Sequence, residues 1–327
     1  MTREEWRAWL CERGAESGAD GQAVVSFGAP DEERRAALAG APRIADLSHR
    51  ALLVIEGADA GTFLQNQITG DLSSAGDGAL LTSIAQANGR VIALFRLLAD
   101  DGRWLLTCRA DAADALRARL ALMRLRARVE IADAGEAVGQ VAIAGLADGP
   151  AVEGVRVAPL AEASATSPWW LACGPWDRLA ALWEALEPVC RPVGWPAWRL
   201  AEIAAGVPDL PGALAERFLP QFLDLERLGG LSYAKGCFPG QEVIARTHYL
   251  GRTVRRLVAA QTHGAPPVPG AAIRTAANRE AGTVLDAVPR PDSGAQVQAV
   301  VRVEALDAGE ALFVAGDEHA PLRIMQP

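Results

Sequence analysis

The residue types best suited to chemistry crowd into one short stretch of this chain. Its only lysine, Lys235, and both of its tyrosines, Tyr233 and Tyr249, lie between Gly229 and Arg252, together with Cys237 and His248. Everywhere else arginine carries the positive charge. The ammonium is a compact charge whose pKa shifts readily, whereas the guanidinium is a wide fork that stays charged. A lysine kept in so arginine-biased a chain marks a place where arginine will not serve. Two residues on comes Cys237, within Lys235-Gly-Cys-Phe-Pro-Gly-Gln-Glu242. Gly236, Pro239 and Gly240 predict a tight loop that lets backbone approach a ligand. Gln241 to Tyr249 has helical character, so Cys237 is expected near a helix N-terminus and beside a cation. Both favour the thiolate, the reactive form of cysteine. The reading is an exposed reactive thiol, set against the alternative of a small buried hydrophobe. Between Gly229 and Arg256 five cations (Lys235, Arg246, Arg252, Arg255, Arg256) face one acid, Glu242. That run is an anion-binding patch or an ordinary solvated face.

The elements that must position this loop can be read from periodicity. Glu4 to Leu10 and Asp31 to Leu38 have helical spacing, with several breakers between them, and suggest a packing or capping arm. Leu52 to Glu56 reads as a buried strand, and the helix after it has Asp59 as its N-cap. Ala79 to Ala85 and Arg90 to Leu98 read as paired strands around an Asn88-Gly89 type I′ turn. Trp104 to Cys108 extends that sheet, and Asp111 to Arg126 is an amphipathic helix. Val138 to Ala144 and Trp169 to Cys173 begin a second unit, with Trp176 to Leu186 as its helix. Pro192 to Pro196 breaks the chain before a short helix, Trp198 to Ala205. After Gly251 come six short β-runs and no helix, as in a small barrel or sandwich. The fold class is therefore α+β: two α+β subdomains followed by a small β-barrel. The expected divisions are a helical extension over 1–41, subdomains over about 42–135 and 136–250, and a barrel over 251–327.

Bulk composition narrows the function. A 50% apolar and 22% charged chain of 327 residues is that of an ordinary globular protein. The five cysteines form no close pair and the four histidines are scattered, which argues against a disulfide framework and a protein-built metal site. A formal net charge of −8 argues against direct tRNA binding. No stretch has the length and apolarity of a membrane span, and the N-terminus lacks a signal-peptide core, so a cytoplasmic location is expected.

The octapeptide Lys235 to Glu242 resembles the signature of the YgfZ family, folate-binding proteins related to iron–sulfur metabolism, whose motif is K-G-C-[FY]-x-G-Q-E. The flanks are similar too: Phe218-Leu-Pro-Gln, Leu228-Gly-Gly-Leu-Ser-Tyr and Ala245-Arg-Thr-His-Tyr-Leu-Gly. Upstream, Phe63-Leu-Gln-Asn-Gln-Ile-Thr-Gly-Asp, Asn88-Gly-Arg-Val and Ala205-Gly-Val-Pro match family segments. The resemblance runs from about residue 42 to the C-terminus. It extends to the T-protein of the glycine cleavage system, a tetrahydrofolate-dependent aminomethyltransferase. It implies a ring of two α+β subdomains and a barrel around a central folate cleft, the GcvT-like arrangement. It further implies tetrahydrofolate as cofactor. Trp198 lines that cleft in this reading, Tyr233 and Arg246 contribute to it, and Gln241 and Glu242 brace the loop.

Two departures bear on activity. Ala93 and Leu94 stand where the T-protein carries its catalytic carboxylates, and neither can move a proton. Ala204 stands where its glutamate holds the pterin; Glu202, two residues away, points elsewhere on a helix. Aminomethyl transfer is therefore not expected. The resemblance implies instead a factor that assembles or repairs iron–sulfur clusters in client enzymes, including tRNA-modifying radical enzymes, with Cys237 as the central group and Lys235 tuning it. Its partners would be those clients and assembly proteins. The alternative is a tetrahydrofolate-dependent one-carbon transferase or demethylase, with Asp46 or Asp71 as base.

Overall fold

The computed structural model describes residues 1–19, 21–164, 167–249, 251 and 253–325. The chain opens with α1 (Arg3–Glu12), a two-stranded ribbon of β1 (Glu16–Ser17) and β2 (Val24–Ser26), and α2 (Pro30–Leu38). Thr2 and Glu5 form a capping box at α1. Trp6 is buried within 5.6 Å of Trp176 and 5.8 Å of Trp183, ring centre to ring centre, and its indole N–H donates to Asp46. This aromatic cluster fastens the arm to the rest of the fold.

The next strand, β3 (Arg43–Asp46), precedes the first large sheet in sequence but does not join it. That sheet holds β4 (Ala51–Glu56), β5 (Leu80–Ala85), β6 (Val91–Asp100), β7 (Arg103–Cys108) and β8 (Glu130–Asp133), in the antiparallel order β5-β6-β7-β4-β8. Helices α3 (Ala60–Gln67) and α4 (Ala110–Met123) belong to the same unit. Leu53 and Ile55 enter one core with Phe63, Leu64, Leu116 and Leu120. Leu52 and Val54 enter another with residues of the second sheet. A strand buried on both faces reads as an unbroken apolar run, as Leu52 to Ile55 does.

The second sheet contains β9 (Val138–Ala144), β10 (Arg156–Ser164), β11 (Ser167–Pro175) and β12 (Arg191–Val193). Its order is β10-β11-β9-β3-β12, with β3 and β12 parallel and the other neighbours antiparallel. Helices α5 (Trp176–Leu186) and α6 (Trp195–Ala204) follow their strands. After α7 (Gln241–Tyr249), six strands close a barrel: β13 (Arg255–Thr262), β14 (Ala272–Thr275), β15 (Glu280–Pro289), β16 (Ala295–Arg302), β17 (Leu312–Val314) and β18 (Asp317–Ile324).

Several local expectations change. The barrel carries one short helix, α8 (Val303–Asp307), where none was expected. Helix α6 starts three residues early, because Pro196 sits in its first turn, where no N–H is needed. Asp59 stands at the N-cap of α3, but its carboxylate accepts from the Arg128 backbone N–H at 2.8 Å and leaves the helix uncapped. The Asn88-Gly89 turn is not type I′. Only Gly89 has a left-handed φ, +78°, and its N–H bonds to Gln86 at 2.9 Å, which makes a three-residue loop.

Candidate functional site

The segment from Gly230 to Gly240 has no regular structure, yet it is held at almost every step. Gly230 lies so close to the Leu81 carbonyl that no side chain would fit there. Its own carbonyl accepts from the Thr69 hydroxyl at 2.8 Å and the Thr82 hydroxyl at 3.0 Å. The Ser232 N–H bonds to Thr69 at 2.9 Å. Gly240 (φ +82°) presses on the Gln86–Gly89 loop, where an added Cβ would come within 2.7 Å of the Gly89 Cα. Phe238 is buried, and the Gly240 carbonyl receives the Ile244 N–H at the start of α7.

Lys235 makes the most hydrogen bonds of these anchors. Its side chain is buried, and its ammonium donates to the main-chain carbonyls of Gln65, Ile68 (2.8 Å) and Gly70 (2.7 Å). These carbonyls lie at and just beyond the C-terminal end of α3, where unpaired carbonyls and the negative end of the helix dipole attract a cation. Burial pulls the Lys235 pKa down to about 8, with the Asp71 carboxylate opposing, so the group is still mainly an ammonium at pH 7. A guanidinium would not enter so tight a ring of three oxygens, which explains the lysine. The structure thus places the Lys235 ammonium on α3, and none of its hydrogen bonds goes to Cys237.

Cys237 lies two residues further on and is exposed. A Cβ added at its neighbour Gly236 would meet nothing within 4 Å. The thiol therefore stands between two buried anchors, Lys235 and Phe238, with open space beside it. Cys11 is the other exposed cysteine. Cys108 and Cys173 are buried, and burial pushes both thiols up to about 12.

The rest of the motif divides into two groups. Tyr233 stacks on His248 at 4.1 Å between ring centres, and Glu226 joins them: it accepts from the Tyr233 hydroxyl at 3.2 Å and lies 3.4 Å from His248 Nδ1. Burial and Glu226 raise the Tyr233 pKa, so it remains a neutral donor. This triad ties α7 to the loop before it. Glu242 and Arg246 are exposed, and neither these two nor Gln241 makes a side-chain hydrogen bond among the described residues. Glu242 does stand in the first turn of α7, where a negative charge suits the helix dipole. Arg252, one of the five cations of the sequence reading, lies outside the described residues.

Trp198 is elsewhere. It is buried, 5.4 Å from the Trp169 ring and 5.4 Å from the Arg43 guanidinium. Ala93 and Leu94 are buried in β6. Of the two candidate bases, Asp46 accepts from Trp6 and Ser48, and Asp71 accepts from Gln65 and Ser73.

Sequence reasoning missed the centre of the molecule. Four arginines and four carboxylates from both sheets, α6 and the barrel neutralise one another there. Asp209 binds Arg50 (3.0 Å) and Arg109 (3.4 Å). Arg96 binds Glu162 (3.2 Å) and Glu202 (3.1 Å). Arg199 binds Glu202 (3.2 Å) and Asp286 of the barrel (2.6 Å). Burial alone would raise the Asp209 pKa, but Arg50, Arg109 and Arg199 outweigh it and hold the carboxyl far below its usual range. One signal was available: Arg96 interrupts an otherwise apolar strand.

This centre does not fit tetrahydrofolate. Among Arg50, Leu94, Arg96, Glu202 and Asp209 there is no room even for a water molecule, whereas small-molecule pockets begin at roughly 300 Å³. Its charges are already paired, and Ala204 is exposed and carries no carboxylate. An opening of about 840 Å³ lies at the β4–β8 edge and shares no lining residue with the Lys235 loop.

A scan against known protein-family profiles finds no match. The chain is 30% identical over 292 residues to the tRNA-modifying protein YgfZ of Klebsiella pneumoniae, covering 84% of this chain and 89% of the relative. It is 28% identical over 296 residues to the protein of the same name in Cronobacter sakazakii, covering 85% and 89%. It is 29% identical over 294 residues to that of an Escherichia coli strain, covering 84% and 89%. Among solved structures, the glycine cleavage system aminomethyltransferase T of Bartonella henselae superposes with a TM-score of 0.71 at 16% identity, over 98% of this chain and 95% of that one. At that identity the likeness shows a shared fold.

Proposed function

The chain belongs to the YgfZ family, and on that footing we propose that it serves the assembly or repair of iron–sulfur clusters in client enzymes through the Cys237 thiol. Those clients would include the radical enzymes that modify tRNA; the name carried by the family's relatives, tRNA-modifying protein, supports that part of the reading. The observation that carries it is the placement of Cys237, exposed on a loop whose two ends are buried. Such a thiol can meet a partner protein without the loop having to order first.

The chemistry needed is ligand exchange. Cys237 gives its proton to solvent, and its thiolate displaces a weakly held ligand such as water from an iron of the cluster, which is the substrate, to form an iron–sulfur bond. A client thiolate then displaces it, and the proton returns to Cys237. No electron changes hands. Lys235 acts as a positioning residue, because its three carbonyl bonds fix the loop that presents the thiol. Asp46 and Asp71 already accept hydrogen bonds, from Trp6 and Ser48 and from Gln65 and Ser73, which weighs against either as the base of a one-carbon transferase. A cytoplasmic site of action suits these clients.

The test uses purified components. A [4Fe–4S] enzyme damaged by oxidant is supplied with iron and sulfide under reducing conditions. Wild-type protein is expected to speed the recovery of activity, and Cys237→Ser is expected not to. Equal recovery with both proteins would remove the thiol from the mechanism.

A further inference from the structure

Helix α4 and the turn after it form a corner unlike the rest of the surface. From Ala110 to Val129 there are five arginines and two acids, Asp111 and Asp114, in a chain whose formal net charge is −8. Two leucines stand out among them. Leu122 is 68% exposed and Leu125 is 85% exposed, the most of any large apolar residue among those described. Leu125 also holds a left-handed φ of +47°, a conformation that a bulky side chain normally avoids. An ordinary turn would place glycine or asparagine there. Exposure costs the fold its apolar burial, and the backbone angle adds strain, so packing does not account for this leucine.

Two of the five charges are available as well, since Arg124 donates to the Val129 carbonyl at 3.4 Å and two others are paired. Asp114 holds Arg117, and Asp59 holds Arg128. Arg119 and Arg126 have no hydrogen-bond or ion-pair partner among the described residues, and Arg126 is exposed. Leu122 stands in the last turn of α4, and Leu125 follows the helix C-cap, Arg124, so both exposed side chains belong to the same helix end.

We propose that this corner docks an acidic segment of a partner protein that also carries apolar side chains. The arginines would receive its carboxylates and the two leucines would anchor it. A nucleic acid fits less well. Single strands are held by aromatic platforms, and Ala110 to Asp133 contains no Phe, Tyr or Trp. Leucines have no counterpart on a phosphate backbone. The acidic remainder of the chain would repel such a partner everywhere else and so orient it. The proposal stands apart from the thiol reading and does not depend on it.

The test is fluorescence anisotropy on the full chain. Its probe is a short labelled peptide rich in glutamate, with leucines on one helical face. The competitor is an unlabelled single-stranded RNA. Arg119→Glu with Arg126→Glu, and Leu122→Ser with Leu125→Ser, are each expected to weaken peptide binding about tenfold or more, a change of about 1.4 kcal/mol. Arg323→Glu, an exposed arginine of β18, is expected to leave it unchanged. Leu125→Gly removes the anchor and relieves the left-handed angle, so it is expected to weaken binding while raising the melting temperature. No peptide binding, full binding by the serine pair or by Leu125→Gly, or tighter binding of the RNA would each overturn the proposal. So would a lower melting temperature for Leu125→Gly, which would show that Leu125 is there for packing.

Discussion

Replacing Lys235 with methionine tests whether the lysine is an anchor or a reagent. Methionine keeps the length and apolar stem and removes the three donors. The carbonyls of Gln65, Ile68 and Gly70 then lose their shared partner in a largely buried setting. Hydrogen bonds from a charged donor contribute about 1.5–3 kcal/mol each, and three would sum to more than the site can yield, because burying the ammonium itself costs several kcal/mol. The net loss is expected to be about 2–4 kcal/mol. For domains of 150–250 residues each kcal/mol moves the midpoint by about 2–4 °C, so the first thermal transition should fall by roughly 4–16 °C. Lys235→Arg overfills the carbonyl ring and should cost about 1–3 kcal/mol. Cys237→Ala, at an exposed position, should stay within about 0.5 kcal/mol of wild type. The assay is scanning calorimetry, with amide hydrogen exchange over residues 65–70 to show where protection is lost. If Lys235→Met melts within about 1 °C of wild type and exchange over 65–70 is unchanged, the anchoring account is wrong.

The other expectations follow from burial, sterics and linkage. At mild alkaline pH a thiol reagent should label Cys11 and Cys237 quickly, and Cys108, Cys173 and Cys190 only on unfolding. Because Cys108 and Cys173 titrate near 12 in the fold and near 9 unfolded, their contribution is intact below pH 9 and is lost as pH rises from 9 to 12; an alkaline melting series should show this fall. Asp209 has the opposite sign. Its folded pKa is depressed, so its contribution is present above the unfolded value of 3.8 and lost as pH falls below it; Asp209→Asn should lower stability at pH 7 and flatten that acid slope in a pH-dependent melting series. Gly240→Ala meets the Gln86–Gly89 loop at a left-handed φ and should reduce soluble yield or melting temperature. Gly236→Ala, which meets nothing within 4 Å, should melt like wild type.

Local patterns in the sequence were legible and long-range pairings were not. Helices α5 and α7 fall on the residues their periodicity marks, Trp176–Leu186 and Gln241–Tyr249. The octapeptide was recognisable because a tight loop and a helix start are written in adjacent residues. Lys235 was visible as unusual, but its carbonyl partners lie 165 to 170 positions upstream, and main-chain oxygens leave no trace in sequence. Strand β3 was missed because four residues carry little periodicity and its neighbours β9 and β12 are far along the chain. The central ion pairs were hidden for a similar reason. Arg96 stands out in an apolar run, but nothing adjacent names Glu162 and Glu202 as its partners.

Complementation in cells that lack the endogenous homologue tests the central claim most directly. The readouts are the activity of a [4Fe–4S] enzyme and the level of thiomethylated tRNA under oxidative stress, with wild type and Cys237→Ala expressed equally. The account predicts that wild type restores both and that Cys237→Ala, folded and as stable as wild type, restores neither. Equal rescue by the two proteins would contradict it and leave Cys237 without a role in the chemistry.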